Sequence, residues 1–272
     1  MAKDSKIEWT HHTFNPWWGC AKVSPACRNC YAESWAKRVG SNVWGASSPR
    51  RFFSDQHWSE PLKWNREAQS DGNRRRVFCA SMADVFERRA DLKKWRVRLW
   101  ELIENTPMLD WLLLTKRPQN ISKMVPWKDS CPDNVWLGIT VENQHWAKKR
   151  LPYLIGNRAR VKFLSCEPLL AEIDLSGWMK DGLIDWVIAG GESGPGSRPM
   201  SPQWVRSLRD QCLHYNVAFH FKQWGHWAPI ELLTVEQKKT VILDDFKLVA
   251  AGKKKAGRFL DGRTWDGLPQ SA

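Results

Sequence analysis

Cys20, Cys27 and Cys30 lie close together, spaced C-x6-C-x2-C, between Asn15-Pro16-Trp17-Trp18-Gly19 on one side and Tyr31 on the other. Three neighbouring thiolates are soft, anionic ligands that suit zinc or an iron-sulfur cluster and not calcium or magnesium. Ligand count separates the two candidates. A structural zinc site takes four protein ligands, so zinc would need His11, His12 or a distant cysteine as well. Iron-sulfur clusters are usually held by four thiolates, so a trio leaves one iron open to a cofactor or substrate. Cys79, Cys131, Cys166 and Cys212 are scattered and read as small, buried apolar residues. An odd total of seven, three of them within eleven residues, suits a metal site in a reducing compartment better than a disulfide framework.

A second set of chemistry-bearing residues stands directly after short apolar runs. The chain reads Ser81-Met82-Ala83-Asp84, Thr115-Lys116-Arg117-Pro118, Thr140-Val141-Glu142-Asn143, Ser165-Cys166-Glu167-Pro168, Gly190-Gly191-Glu192-Ser193 and Lys222-Gln223-Trp224-Gly225. Ordinary turns would show Gly, Pro, Asn and Asp without so many charged groups. Parallel barrels place their chemistry on the loops after the strands, so these ends are expected to converge on one site.

The elements that must position them follow from the apolar patterning. Strands are predicted at about Arg76 to Ser81, Trp111 to Thr115, Val135 to Thr140, Val161 to Ser165, Trp186 to Ala189 and Ala218 to Lys222, with another near Ile7 to Thr10 leading into the cysteine loop. Helices are predicted between them at Tyr31 to Val39, Leu92 to Asn105, Gln119 to Met124, Gln144 to Ile155 and Pro202 to His214. Ser201 and Pro202 form an N-cap and N1 pair for the last. The alternation implies an α/β fold, a partial or complete parallel (β/α) barrel over residues 1–225 with a loop and helix insertion at about 40–75. Residues 226–272 form a C-terminal extension with a basic tail.

The 272 residues carry 42 Lys and Arg against 29 Asp and Glu, a net +13, and 42% are hydrophobic. That composition excludes wholesale disorder, and a field of that sign attracts polyanions. Nucleic acid is the expected partner, with Arg74-Arg75-Arg76 and Lys253-Lys254-Lys255 as patches that reach phosphates. Most of the nineteen Trp are expected to pack the core or its rim, leaving a few to stack on bases. No apolar run approaches the roughly 20 residues that span a bilayer, and Met1 to Thr10 has no signal-type apolar stretch, so the chain is expected in the cytoplasm, that of the host if phage-encoded.

Taken together, the cysteine loop and the strand ends resemble a phage and bacterial family of three-cysteine-motif proteins, itself similar to a branch of the radical-SAM superfamily. The resemblance rests on Phe14-Asn15-Pro16-Trp17, Cys27-Arg28-Asn29-Cys30-Tyr31-Ala32, Ser81-Met82-Ala83-Asp84-Val85-Phe86, Leu114-Thr115-Lys116-Arg117-Pro118, Ser165-Cys166-Glu167-Pro168-Leu169, Gly190-Gly191-Glu192-Ser193-Gly194, Phe221-Lys222-Gln223-Trp224-Gly225 and the tail Gly257 to Asp266. The commoner superfamily spacing is C-x3-C-x2-C with an aromatic before the last cysteine, whereas here the first gap is six and Tyr31 follows.

The resemblance implies a radical-SAM-type barrel with a 4Fe-4S cluster on Cys20, Cys27 and Cys30 and S-adenosylmethionine on the open iron. One-electron cleavage of the sulfonium then gives a 5′-deoxyadenosyl radical that abstracts hydrogen from substrate. In the segment from Ser81, Asp84 is the expected partner of the methionyl ammonium, and Lys116 or Arg117 that of the carboxylate. Thr140, Glu142 and Asn143 are expected at ribose hydroxyls, and Gly190-Gly191-Glu192 where backbone approaches a ligand. Glu167 and Lys222 are left facing the substrate space, or as an ion pair in the barrel mouth. The implied reaction modifies a base in phage DNA, single-stranded or with the base extruded, for example isomerisation of a glycyl-thymidine, with an electron donor such as a flavodoxin as a further partner. Two alternatives are a zinc-stabilised, non-catalytic nucleic-acid-binding protein and a radical-SAM lyase repairing photodamaged DNA.

Overall fold

The structure is a computed structural model that describes residues 3–127, 130–233 and 239–270. Seven strands follow chain order in one sheet, β1 (His12–Phe14), β2 (Arg75–Cys79), β3 (Leu109–Thr115), β4 (Val135–Thr140), β5 (Val161–Cys166), β6 (Trp186–Gly190) and β7 (Ala218–Gln223). The fold is thus α/β, with one strand fewer than the eight of a complete barrel. The strands that bury both faces are near-continuous apolar runs: β4 and β6 are buried at every residue, as parallel strands covered on both sides must be.

The chain forms two compact units. The first comprises Met1–Val23, Ala32–Ile139 and Pro152–Lys162. In it β1 pairs with β2, β2 with β3 and β3 with β4, all parallel, in registers such as Phe14↔Cys79, Cys79↔Leu113 and Leu113↔Leu137. Its helices include most of α1 (Tyr31–Arg38), α2 (Asp55–Asp71), α3 (Lys93–Glu104) and α4 (Ile121–Met124). The insertion expected at 40–75 is loop followed by α2, which ends on Gly72 in the left-handed conformation, φ +71°. Trp64, Trp111 and Phe14 are almost wholly buried here, with His12 stacked on Trp64 at 4.5 Å between ring centroids.

The first strand is displaced from the expected Ile7 to Thr10. Thr10 N closes a turn on Ile7 O at 3.1 Å, and its hydroxyl donates to Arg76 O, so the parallel ladder starts only at His12. The arginine run expected to reach phosphates is instead engaged within the protein. Arg74 binds Asp110 at 2.6 Å, Arg75 pairs with Asp71, and Arg76 Nε donates to Trp9 O at 3.0 Å.

The second unit comprises Ser24–Tyr31, Thr140–Leu151 and Phe163–Ala272. β5 pairs with β6 and β6 with β7, again parallel, with a bulge at Ala189/Gly190. It holds most of α5 (Gln144–Ile155), α6 (Ser176–Lys180) and α7 (Pro202–His214). Ser201 Oγ accepts from Gln203 N ahead of Pro202, the cap expected for α7. After β7 comes a small antiparallel sheet in the order β8 (Trp227–Pro229), β10 (Phe246–Ala250), β9 (Thr240–Leu243), followed by α8 (Lys253–Ala256).

Candidate functional site

In the first unit, Gly19, Cys20 and Ala21 are held by the loops after β2 and β3 and by the loop between α1 and α2. Gly19 N donates to Met82 O at 3.0 Å, and Gly45 N donates to Cys20 O at 3.0 Å. Gly19 sits at φ +113°, where a Cβ would meet Val43 O at 2.3 Å, so only glycine fits. Arg117, from the end of β3, donates to Ala21 O at 2.7 Å and to Asp84 at 2.9 Å, and lies 3.5 Å from Cys20 Sγ. Burial disfavours its charge, but Asp84, Cys20 and Glu87 outweigh that and raise its pKa.

Asp84, 5% exposed, is committed to protein donors. One oxygen accepts from Phe86 N and the Thr115 hydroxyl at 3.0 and 2.7 Å, the other from Lys116 N and Arg117 at 3.1 and 2.9 Å. Behind it Arg50 holds Glu87 through two hydrogen bonds, at 3.1 and 2.8 Å, with its side chain fully buried. Lys116 is half-buried and forms no ion pair among the described residues. Ser81 accepts from Asn15 Nδ2 at 3.0 Å.

The second unit carries Cys27 and Cys30 on Ser24–Tyr31, where Pro25–Cys27 form a turn of 3-10 helix. Two charged residues, Glu142 and Arg198, hold this turn directly. Glu142 accepts from Ala26 N at 3.4 Å and pairs with Arg150 at 2.7 Å, both side chains buried. Arg198 donates to Pro25 O at 3.0 Å and binds Glu192 through two nitrogens. Asn29 Nδ2 donates to Glu192 at 3.0 Å and to Gly196 O at 2.8 Å. Burial raises the Glu192 carboxyl, but hydrogen bonds from Arg198 and Asn29 prevail and hold it below the usual carboxylate range.

Also in this unit, Lys222 Nζ donates to both Glu167 oxygens at 2.8 Å, and Gln223 bridges Glu167 to Ser193 Oγ at 3.3 and 2.9 Å. The pair stays partly open, with side chains 13% and 19% exposed. The closely approached backbone at Gly191 is that of Trp224: a Cβ there would lie 1.9 Å from Trp224 O. Asn143 caps α5 by accepting from Trp146 N at 3.1 Å. The buried Thr140 hydroxyl finds no partner among the described residues, while its carbonyl accepts from Arg150 at 2.7 Å.

Arg117, Glu142 and Glu192 therefore act directly on the backbone or side chains of the cysteine segments, and Asp84 acts through Arg117. Sequence reading missed Arg50, Glu87, Asn29, Arg150 and Arg198. Asn29 had a signal, since it lies between two of the cysteines; the arginines sit on other segments as ordinary surface-type residues. All three loop cysteines are free thiols of intermediate exposure. Their donor chemistry fits a soft metal or cluster, although among the described residues no three Cys, His, Asp or Glu side chains are already gathered as a ligand set.

No curated protein matches the chain. Among solved structures, a spore photoproduct lyase double mutant with bound AdoMet and dinucleoside spore photoproduct is similar at 12% identity and a TM-score of 0.47, covering 91% of this chain and 70% of that one. Another spore photoproduct lyase mutant gives 12% identity and a TM-score of 0.48, covering 90% and 70%. A family model described as "protein of unknown function (DUF5131)" matches residues 4–269, and the chain belongs to that family.

Proposed function

We propose that the chain is a radical S-adenosylmethionine enzyme that modifies a base in nucleic acid, with isomerisation of an amino-acid-decorated thymidine in phage DNA as the specific reaction. The observation that carries this reading is a C-x6-C-x2-C trio of free thiols whose flanking backbone is pinned by charged strand-end residues. A solvated loop of no function would not need four buried or half-buried charges to fix it.

Cys20, Cys27 and Cys30 would hold a 4Fe-4S cluster, which with S-adenosylmethionine and one electron from a donor such as a flavodoxin supplies a 5′-deoxyadenosyl radical. The protein's own residues divide the remaining work. Arg117 holds the Cys20 segment, and Asp84 keeps Arg117 charged and aimed. Lys116, which pairs with no carboxylate among the described residues, is the better of the two cations for the methionyl carboxylate. Asn143 and Thr140 remain candidates for ribose contacts. Lys222 and Glu167, hydrogen-bonded to each other, face the substrate. The target base leaves its stack to be reached, drawn in by the net charge of +13. Residues 1–225 carry this chemistry and 226–272 form the extension.

Anaerobic reconstitution tests the reading. Brown protein with about four iron and four sulfide per chain, cleaving S-adenosylmethionine to 5′-deoxyadenosine, is the expected result. Cys20→Ala, Cys27→Ala and Cys30→Ala should each abolish both properties, and Cys131→Ala neither. Colourless protein with one zinc would replace the enzyme by a zinc-stabilised binding module, and cleavage coupled to reversal of a thymine photoproduct would replace the isomerase by a lyase.

A further inference from the structure

The loops after β2 and β3, with the helices α3 and α4 they lead into, line a cleft of about 610 Å³ that none of the roles above uses. Both loops belong to the first unit and are tied together where Asn120 Nδ2 donates to Phe86 O at 2.9 Å. Among the described residues five cations line the cleft, Arg88, Arg89, Lys93, Arg96 and Lys123, and no carboxylate does. Two of the five are committed elsewhere. Arg96 is buried and donates to Val85 O and Glu87 O, both at 2.8 Å, and Arg89 binds Asp91 through two nitrogens. Arg88, Lys93 and Lys123 are exposed and form no ion pair among the described residues. Val97, 48% exposed, Met124 and Pro126 supply an apolar wall beside them.

Three unpartnered cations held around one recess repel one another unless an anion comes between them. An apolar wall within the same recess suits an anion that carries a carbon skeleton. A recess of this volume lies in the range of roughly 300–1,000 Å³ that encloses a ligand group, which fits a nucleotide unit better than the flat acidic face of a protein. Arg88 follows Asp84 by four residues and Lys123 follows Arg117 by six, so the lining lies on the same two chain segments as those strand-end residues.

We propose that this cleft grips the phosphodiester backbone of a single-stranded stretch of the nucleic-acid substrate, with Arg88, Lys93 and Lys123 on phosphates and Val97, Met124 and Pro126 against the sugars. The assignment rests on the nucleic-acid reading above and moves the main phosphate contact away from Arg74, Arg75 and Arg76, whose guanidinium groups are engaged within the protein.

The test is binding of a single-stranded oligodeoxynucleotide to reconstituted protein by fluorescence anisotropy across a salt series. Because each phosphate contact to a single strand contributes about 0.7 to the slope of log K against log salt, R88Q/K93Q/K123Q should make that slope shallower by about 2 and weaken binding at low salt. R88K/K93R/K123R keeps the charges and should bind as wild type, which separates charge loss from misfolding. A triple glutamine variant with wild-type affinity and slope overturns this cleft while leaving the nucleic-acid reading intact. Equal binding accompanied by lost electron acceptance from a flavodoxin also overturns it, in favour of protein docking. Wild-type protein that binds no oligonucleotide overturns both.

Discussion

Arg117 and Asp84 form an ion pair with side chains only 8% and 7% exposed, so each supplies the other's counter-charge where little water reaches. Asp84→Asn keeps the shape and removes the charge, leaving Arg117 uncompensated beside Cys20. Breaking one member of a buried pair costs about 3 to 5 kcal/mol, though Glu87, 3.8 Å from Arg117, retains part of the compensation and favours the lower end. Urea unfolding should show that loss even in iron-free protein, and a variant as stable as wild type would free Asp84 for a ligand's ammonium. The Glu167–Lys222 pair predicts a different outcome because it is partly open and touches no cysteine segment among its hydrogen bonds. Lys222→Met should leave iron content and uncoupled S-adenosylmethionine cleavage unchanged and reduce substrate turnover by about 100-fold or more, the usual scale of a proton-handling group. Turnover and cleavage falling together would make the pair structural.

The ends of β6 and β7 meet through glycine. Gly191 N donates to Gln223 O at 2.9 Å, and Gly225, at φ +87°, would place a Cβ 2.3 Å from Glu192 O. Gly191→Ala should therefore separate the two strand ends and destabilise the protein by about 1 to 3 kcal/mol, measurable as a lowered urea midpoint. At β1 the control is a proton. Arg76 N donates to His11 Nδ1 at 2.8 Å, and burial, followed by the charges of Arg76 and Arg75, lowers the His11 pKa to about 4. The folded state then keeps His11 neutral while the unfolded chain takes a proton below about 6.5, so stability is full above 6.5 and falls as pH drops from there to about 4. Denaturation curves across that window should flatten in His11→Asn, with a residual slope of the same sign from His12 and His57. Elements with strong patterning were legible in the sequence: Val135–Thr140, Gln144–Ile155 and Pro202–His214 fall where apolar runs, helical spacing and the Ser-Pro cap put them. β1 was misplaced because Ile7 and Trp9 mimic an alternating strand, whereas its true start is set by the long-range partner Arg76. The purpose of Gly191 was hidden for the same reason, since the atom it must avoid is 33 residues away in sequence.

At the scale of the whole chain, the net charge of +13 was fully legible but its distribution was not, because the pairing of Arg74 with Asp110 joins residues 36 apart in sequence. Two groups of the other cations differ in kind. Lys253, Lys254 and Lys255 are exposed on the short α8 and among the described residues make no ion pair. Arg88, Lys93 and Lys123 instead surround a recess. Exposed charges act at long range through the summed field and mainly change how often a polyanion arrives, whereas groups that contact it in a confined site mainly change how long it stays. Stopped-flow mixing with a single-stranded oligodeoxynucleotide should separate them. K253Q/K254Q/K255Q should lower the association rate, with the difference from wild type shrinking as salt screens the field beyond about 10 Å, and leave dissociation nearly unchanged. R88Q/K93Q/K123Q should chiefly accelerate dissociation and keep doing so at moderate salt. If both triples changed only association, the cleft would be one more part of a diffuse basic surface, and the +13 would steer nucleic acid without any built grip on its backbone.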